Sequence, residues 1–245
     1  MNPSAPSVPQ AQPVAPKLPS AFNLFGPSIK ALQTNLATFV WLVLTPFLFV
    51  IGLVIAITLT TPDPAQSSPD PVAAFITFLV MIAVGVGSVV LSVALLVAVL
   101  KGAQGHRVSY TDALRLGLRF SLRYVGLMIL FFLALFVGFM LFIVPFFFVM
   151  QRFFLAPYYM IDRNLGPIQA MKQSARDAKR FSSGVWGLVG VSLLVEVAAM
   201  VPIIGWLVSI LYYGAPAVRY EEIKRASGHA PAPAPLPGAP VAASF

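Results

Sequence analysis

Arg152 and Glu196 are the two side chains of this chain best placed to do chemistry, because each stands alone inside a long apolar run. A charge in hydrocarbon is costly and usually faces a partner or a cavity. Arg152 lies seven residues after Pro145, and Glu196 lies six residues before Pro202. If both prolines mark hairpin tips, a rise of about 1.5 Å per residue puts both charges about 10 Å below the tips. The spacing predicts an intramembrane pair, Arg152 with Glu196, with Gln151 nearby. Such a pair would fix helix register, or serve as a proton or substrate site. Snorkelling or water-filled exposure without pairing is the remaining reading.

Other chemistry is thinly represented. The chain has no cysteine, which removes disulfides, thiolate nucleophiles and zinc-thiolate sites. Its two histidines, His106 and His229, fall in a loop and a tail. No carboxylate cluster, metal-ligand spacing or phosphate-cradling glycine loop occurs. No catalytic residue, metal or cofactor is therefore expected, and the chain reads as non-enzymatic.

The elements that must hold these charges are helices in a bilayer. Of 245 residues, 58% are hydrophobic and only 10% charged, against about 25% charged in a soluble domain. Apolar runs at Leu36–Thr60, Val72–Leu100, Tyr124–Arg163 and Gly184–Tyr220 exceed the roughly 18 residues that suggest a span. The last two are too long for one crossing. Breaking them at Ile143-Val144-Pro145 and at Val201-Pro202 gives helices at about 124–143, 145–161, 184–201 and 203–220, and six spans in all.

Charge supports that count. The loop 61–71 carries Asp63 and Asp70 and no base, and every Lys and Arg except Arg152 falls on the opposite side. The positive-inside rule then predicts a cytoplasmic-membrane protein with both termini cytoplasmic. The net charge of +8 is explained by topology, so no nucleic-acid partner is expected. Residues 1–21 and 226–245, rich in Pro and Ala, read as disordered solvated tails; a proline-ligand role for them is the lesser alternative.

Three units recur, at about 22–100, 105–161 and 166–225. Each reads as a cytoplasmic amphipathic helix followed by a hairpin. In the second, Ser109 to Asp112 resembles a capping box, and Arg115, Arg119 and Arg123 share one face opposite Tyr110, Ala113, Leu114, Gly117 and Leu118. In the third, Lys172, Arg176 and Lys179 oppose an apolar stripe of Ile168, Met171, Ala175 and Ala178. The first opens at Gly26-Pro27. Arg119-Phe120-Ser121 echoes Arg180-Phe181-Ser182, and Ala156-Pro157 echoes Ala215-Pro216. These helices anchor the hairpins or contact anionic lipid through their six named bases. The fold class expected is all-α: six transmembrane helices in three hairpins.

The stretch Phe142-Ile-Val-Pro145, then Arg152-Phe-Phe-Leu-Ala-Pro-Tyr-Tyr-Met-Ile-Asp162, then Gly166-Pro-Ile-Gln-Ala170-Met-Lys-Gln-Ser174 resembles the membrane-domain family associated with glycerophosphoryl diester phosphodiesterases and related uncharacterised bacterial integral membrane proteins. The match is best over about 105–225. Met171 stands where the family usually has Leu, and Phe146 where it often has Gly. The resemblance implies a multi-helix bacterial membrane domain, with Pro145, Arg152, Asp162, Ala170 and Ser174 as structural motif positions. No phosphodiesterase domain accompanies it here, so that activity is not carried over. Two functional expectations result: a scaffold or lipid-interacting membrane domain with lipid or membrane-protein partners, or a small transporter or lipid-translocating protein using Arg152 and Glu196.

Overall fold

A computed structural model describes residues 18–60, 71–201 and 204–228. The expected tails (apart from residues 18–21 and 226–228), nearly all of the acidic loop 61–71 and the Pro202 tip lie outside these residues. The described residues form helices and no strand. Three helices are long and apolar enough to cross a membrane, or up to five if each bent pair is one span.

Proline and asparagine set the first corner. After a 3-10 turn at Ala21–Leu24, α1 (Phe25–Thr34) carries Pro27 in its first turn and stops at Asn35. There the chain bends by 84° into α2 (Leu36–Thr60). The Asn35 amide pins the bend, donating to the Ala98 and His106 carbonyls at 3.1 and 3.0 Å and accepting from the Val108 N–H at 2.8 Å. A short polar side chain that can satisfy backbone groups suits such a corner.

α3 (Pro71–Ala103) and α4 (Tyr110–Leu141) are 33 and 32 residues long. At about 1.5 Å per residue each runs close to 50 Å, well beyond a hydrocarbon core of about 30 Å. The two approach closely at Gly117, where a Cβ would lie 2.6 Å from the Val90 carbonyl oxygen. The continuity of α4 corrects the expected separate amphipathic helix in the second unit. Leu122 and Arg123, good helix formers, follow Phe120-Ser121 there and carry the helix on. In the third unit the matching Phe181 precedes Ser182-Ser183-Gly184, which are poorer formers. The chain turns by 106° at Phe181, between α7 (Pro167–Arg180) and α8 (Ser182–Ala198). The expected capping box is also not formed: the Ser109 hydroxyl lies 3.2 Å from that of Thr111 and makes no cap bond.

The return helices are broken where Ala-Pro occurs. α5 (Ile143–Phe153) begins one residue after α4, with Pro145 in its first turn, and gives way to α6 (Ala156–Asp162). α9 (Ile204–Tyr212) gives way in the same manner to α10 (Ala215–Ala226). A proline without an N–H fits the first turn of a helix and not its interior.

Burial is uneven along these helices. Val93–Leu100 on α3, Leu155–Met160 around α6, and Ala215, Ala217, Tyr220 and Ile223 on α10 form a packed core at one end of the molecule. Val72–Val86, Ile129–Phe142 and Leu194–Val201 leave most large apolar side chains exposed at the other. That distribution suits hydrocarbon rather than water as the solvent of the open end.

Candidate functional site

Where α3, α6 and α10 end, their polar residues meet. Asp162, the last residue of α6, accepts from Tyr220 OH and Lys224 Nζ on one oxygen, both at 2.7 Å. Its other oxygen accepts from Gln104 Nε2 at 2.8 Å. The same Gln104 amide donates to Glu221 at 2.8 Å and accepts from Lys101 Nζ at 3.2 Å. Lys224 also lies 3.7 Å from Glu221. Two carboxylates and two ammonium groups thus balance in one nearly buried network. The Ala-Pro register explains it: Asp162 follows Ala156 by six residues, as Glu221 follows Ala215, and the Gln104 amide just after α3 clamps both.

A second layer surrounds this knot. Tyr159 OH donates to Asp177 at 2.5 Å and its ring packs edge-on against Tyr220 at 4.7 Å. Gln173 reaches the same Asp177 oxygen at 3.0 Å. Arg219 is fully buried, donating to Glu222 at 2.7 Å and to the Pro19 carbonyl at 2.9 Å, while among the described residues its Nε has no partner. Burial pushes the Glu222 carboxyl above its ordinary range, against the opposing pull of Arg219 and Arg225.

The expected pair is not formed. Arg152 and Glu196 are both exposed, and no ion pair or hydrogen bond joins them among the described residues. Their helices do touch, through Phe148 and Trp186 at 5.4 Å. Depth counted from the tips ignored rotation, however. The inward position of α5 belongs to Gln151, whose amide donates to the Ala178 carbonyl at 3.1 Å, so Arg152 one residue on turns outward. Its own carbonyl accepts from Ser174 at 2.7 Å, which sets Arg152 beside the basic helix α7.

That bond joins two of the motif positions, Arg152 and Ser174; Ala170 is buried on the same face of α7, and Asp162 anchors the knot. The face α7 buries is Ala170, Ser174, Asp177 and Ala178; of the expected stripe, Ala178 is buried and Met171 packs against the core, whereas Ala175 is half-buried and Ile168 exposed. Small residues let its backbone approach α5, and Ile168 is left outside. Arg115, Arg119, Arg123, Lys172, Arg176 and Lys179 are all exposed, as a binding surface requires.

A half-open cavity of about 290 Å³ lies between α3, α5, α6, α8 and α9, and among the described residues Glu196 is the one charged residue in its lining. Among the described residues no group of three or more His, Cys, Asp or Glu is arranged to hold a metal ion.

Sequence reasoning missed Gln104, Tyr159, Asp177, Arg219, Tyr220 and Lys224. One signal was available: Asp177 is the lone acid on a helix that otherwise carries bases, which points to a buried role. Comparison of the chain with family models, with curated proteins and with solved structures returns no match. Fold and site define an all-helical protein with several helices fit to cross a membrane, locked at one end by a polar knot.

Proposed function

We propose that this chain is a multi-pass, non-enzymatic protein of a cytoplasmic membrane whose working surface is a basic rim that contacts anionic lipid headgroups. One observation carries the reading. Leu118, Leu122 and Ile168 are 65%, 83% and 57% exposed, interleaved with the exposed bases Arg115, Arg119, Arg123, Lys172 and Arg176. Large apolar side chains beside cations suit the boundary between acyl chains and phosphates and suit neither water nor hydrocarbon alone. Six spans, three hairpins and both termini on the basic side complete the proposal, as does kinship with the membrane-domain family that the Arg152–Ser174 stretch resembles.

The test is lipid retention. The protein is extracted from vesicles of mixed phosphatidylglycerol and phosphatidylcholine and weighed by native mass spectrometry. The expected result is retained phosphatidylglycerol, depleted in R115Q/R119Q/K172Q/R176Q. Equal retention of both lipids, or retention unchanged in the variant, contradicts the reading.

A second reading, translocation of a small molecule or lipid, is favoured by the cavity that reaches Glu196. It no longer needs Arg152. Flux of a cationic dye from proteoliposomes, abolished by E196Q, is its expected signature; flux equal to protein-free liposomes opposes it.

A further inference from the structure

The cavity beside Glu196 is built for a charged guest. Its walls are mostly apolar, including Leu96, Met150 and Phe154, yet several polar side chains also line it. Tyr158 is only 5% exposed, and among the described residues its hydroxyl has no hydrogen-bond partner. Glu196, Ser192 and Tyr213 line the same space, and their side chains have no hydrogen-bond partner among the described residues, although the Tyr213 ring packs edge-on against Phe39 at 5.8 Å. By contrast, Tyr212 and Ser209, also in the lining, are satisfied by the Ala21 and Gly205 carbonyls at 3.4 and 2.9 Å. Glu196, itself exposed, brings a negative charge to these mostly apolar walls.

Charge and shape narrow the occupant. An anion would be repelled by Glu196, and an apolar molecule would leave the carboxylate and the hydroxyls unsatisfied. One carboxylate with hydroxyls gives too few hard oxygens for calcium, which takes about six to eight. A protonated amine meets every term: its N–H groups would be taken up by Glu196 and the hydroxyls, and its charge by the faces of the tyrosine rings. The apolar walls would hold the body attached to it. The volume of about 290 Å³ is at the lower end of small-molecule pockets, which run from about 300 to 1,000 Å³.

We propose that this cavity is a binding site for an amphiphilic ammonium, a protonated amine on a compact apolar body, with Glu196 as counter-ion and Tyr158 and Ser192 as hydrogen-bonding partners. The site is independent of the basic rim, and it supplies the substrate class if the translocation reading holds.

The experiment is calorimetric titration of the full chain in phosphatidylcholine nanodiscs with 2-phenylethylammonium, and with neutral 2-phenylethanol as control. The expected result is saturable binding of the amine alone. E196Q should weaken it roughly tenfold or more, the scale of one charged hydrogen bond, and Y158F more modestly. Thermal unfolding of both variants near the parent temperature shows that they fold, and E196D, which keeps the charge, should bind more tightly than E196Q. Absence of saturable amine binding, equal binding of the alcohol, or binding unchanged in E196Q overturns the proposal. Binding without flux leaves the site standing and removes only translocation.

Discussion

Asp162 accepts three hydrogen bonds from three different side chains, two on α10 and one just after α3. Removing its charge leaves Lys224 buried without its closest counter-ion. Breaking a buried pair by deleting one partner costs about 3–5 kcal/mol, whereas replacing both partners by apolar groups is often nearly neutral. D162N should therefore lower the unfolding temperature in detergent sharply, and D162L/K224M should recover much of the loss. A double variant no more stable than D162N would show that the ion pair is not what Asp162 contributes. Ser174 offers a smaller test: its hydroxyl bond to the Arg152 carbonyl is one neutral contact, so S174A should cost about 1 kcal/mol. A measured loss near zero would mean that α7 does not depend on that bond.

At the scale of elements, corners decide the shape. Asn35 makes three hydrogen bonds to backbone groups at the α1–α2 bend, and at about 1 kcal/mol each N35L should cost roughly 3 kcal/mol. The loss should appear as faster hydrogen exchange at Val108 and across α1. Uniform exchange in parent and variant would count against the pin. Gly117 gives an opposite kind of test. A valine there meets the Val90 carbonyl oxygen, since even a Cβ would lie 2.6 Å from it, so G117V should push α3 from α4 and destabilise by about 1–3 kcal/mol. Part of this level was legible in the sequence. Gly-Pro at 166 marks the start of α7, but the helices expected at about 145–161 and 203–220 are each broken at Ala-Pro, a dipeptide that the sequence offers only as an echo between units. The corner at Phe181 and its absence at Phe120 were not separated, because the repeated Arg-Phe-Ser hides that different helix formers follow it. The Arg152–Glu196 pair failed for a related reason. Counting residues gives depth along a helix, but the face follows from which neighbour, Gln151 here, finds a backbone partner.

The whole molecule is packed at one end and open at the other, which is the form expected when hydrocarbon replaces water around the open end. The sequence carried that division in its apolar runs and in the grouping of its bases. It did not carry the knot, because Gln104 and Tyr220 each stand 58 residues from Asp162 along the chain, on opposite sides of it, and only the packed fold brings them together. The proposed function requires the knot and the basic rim to share one face of a membrane. The chain has no native cysteine, so single cysteines can be read without background. The most direct measurement is labelling of cysteines at Arg119, Lys172, Arg176 and Ser67 with a membrane-impermeant maleimide, in intact and in opened cells. The account predicts that Ser67 is labelled in intact cells and the three rim positions only after opening. Rim positions divided between the two sides of the membrane would contradict it.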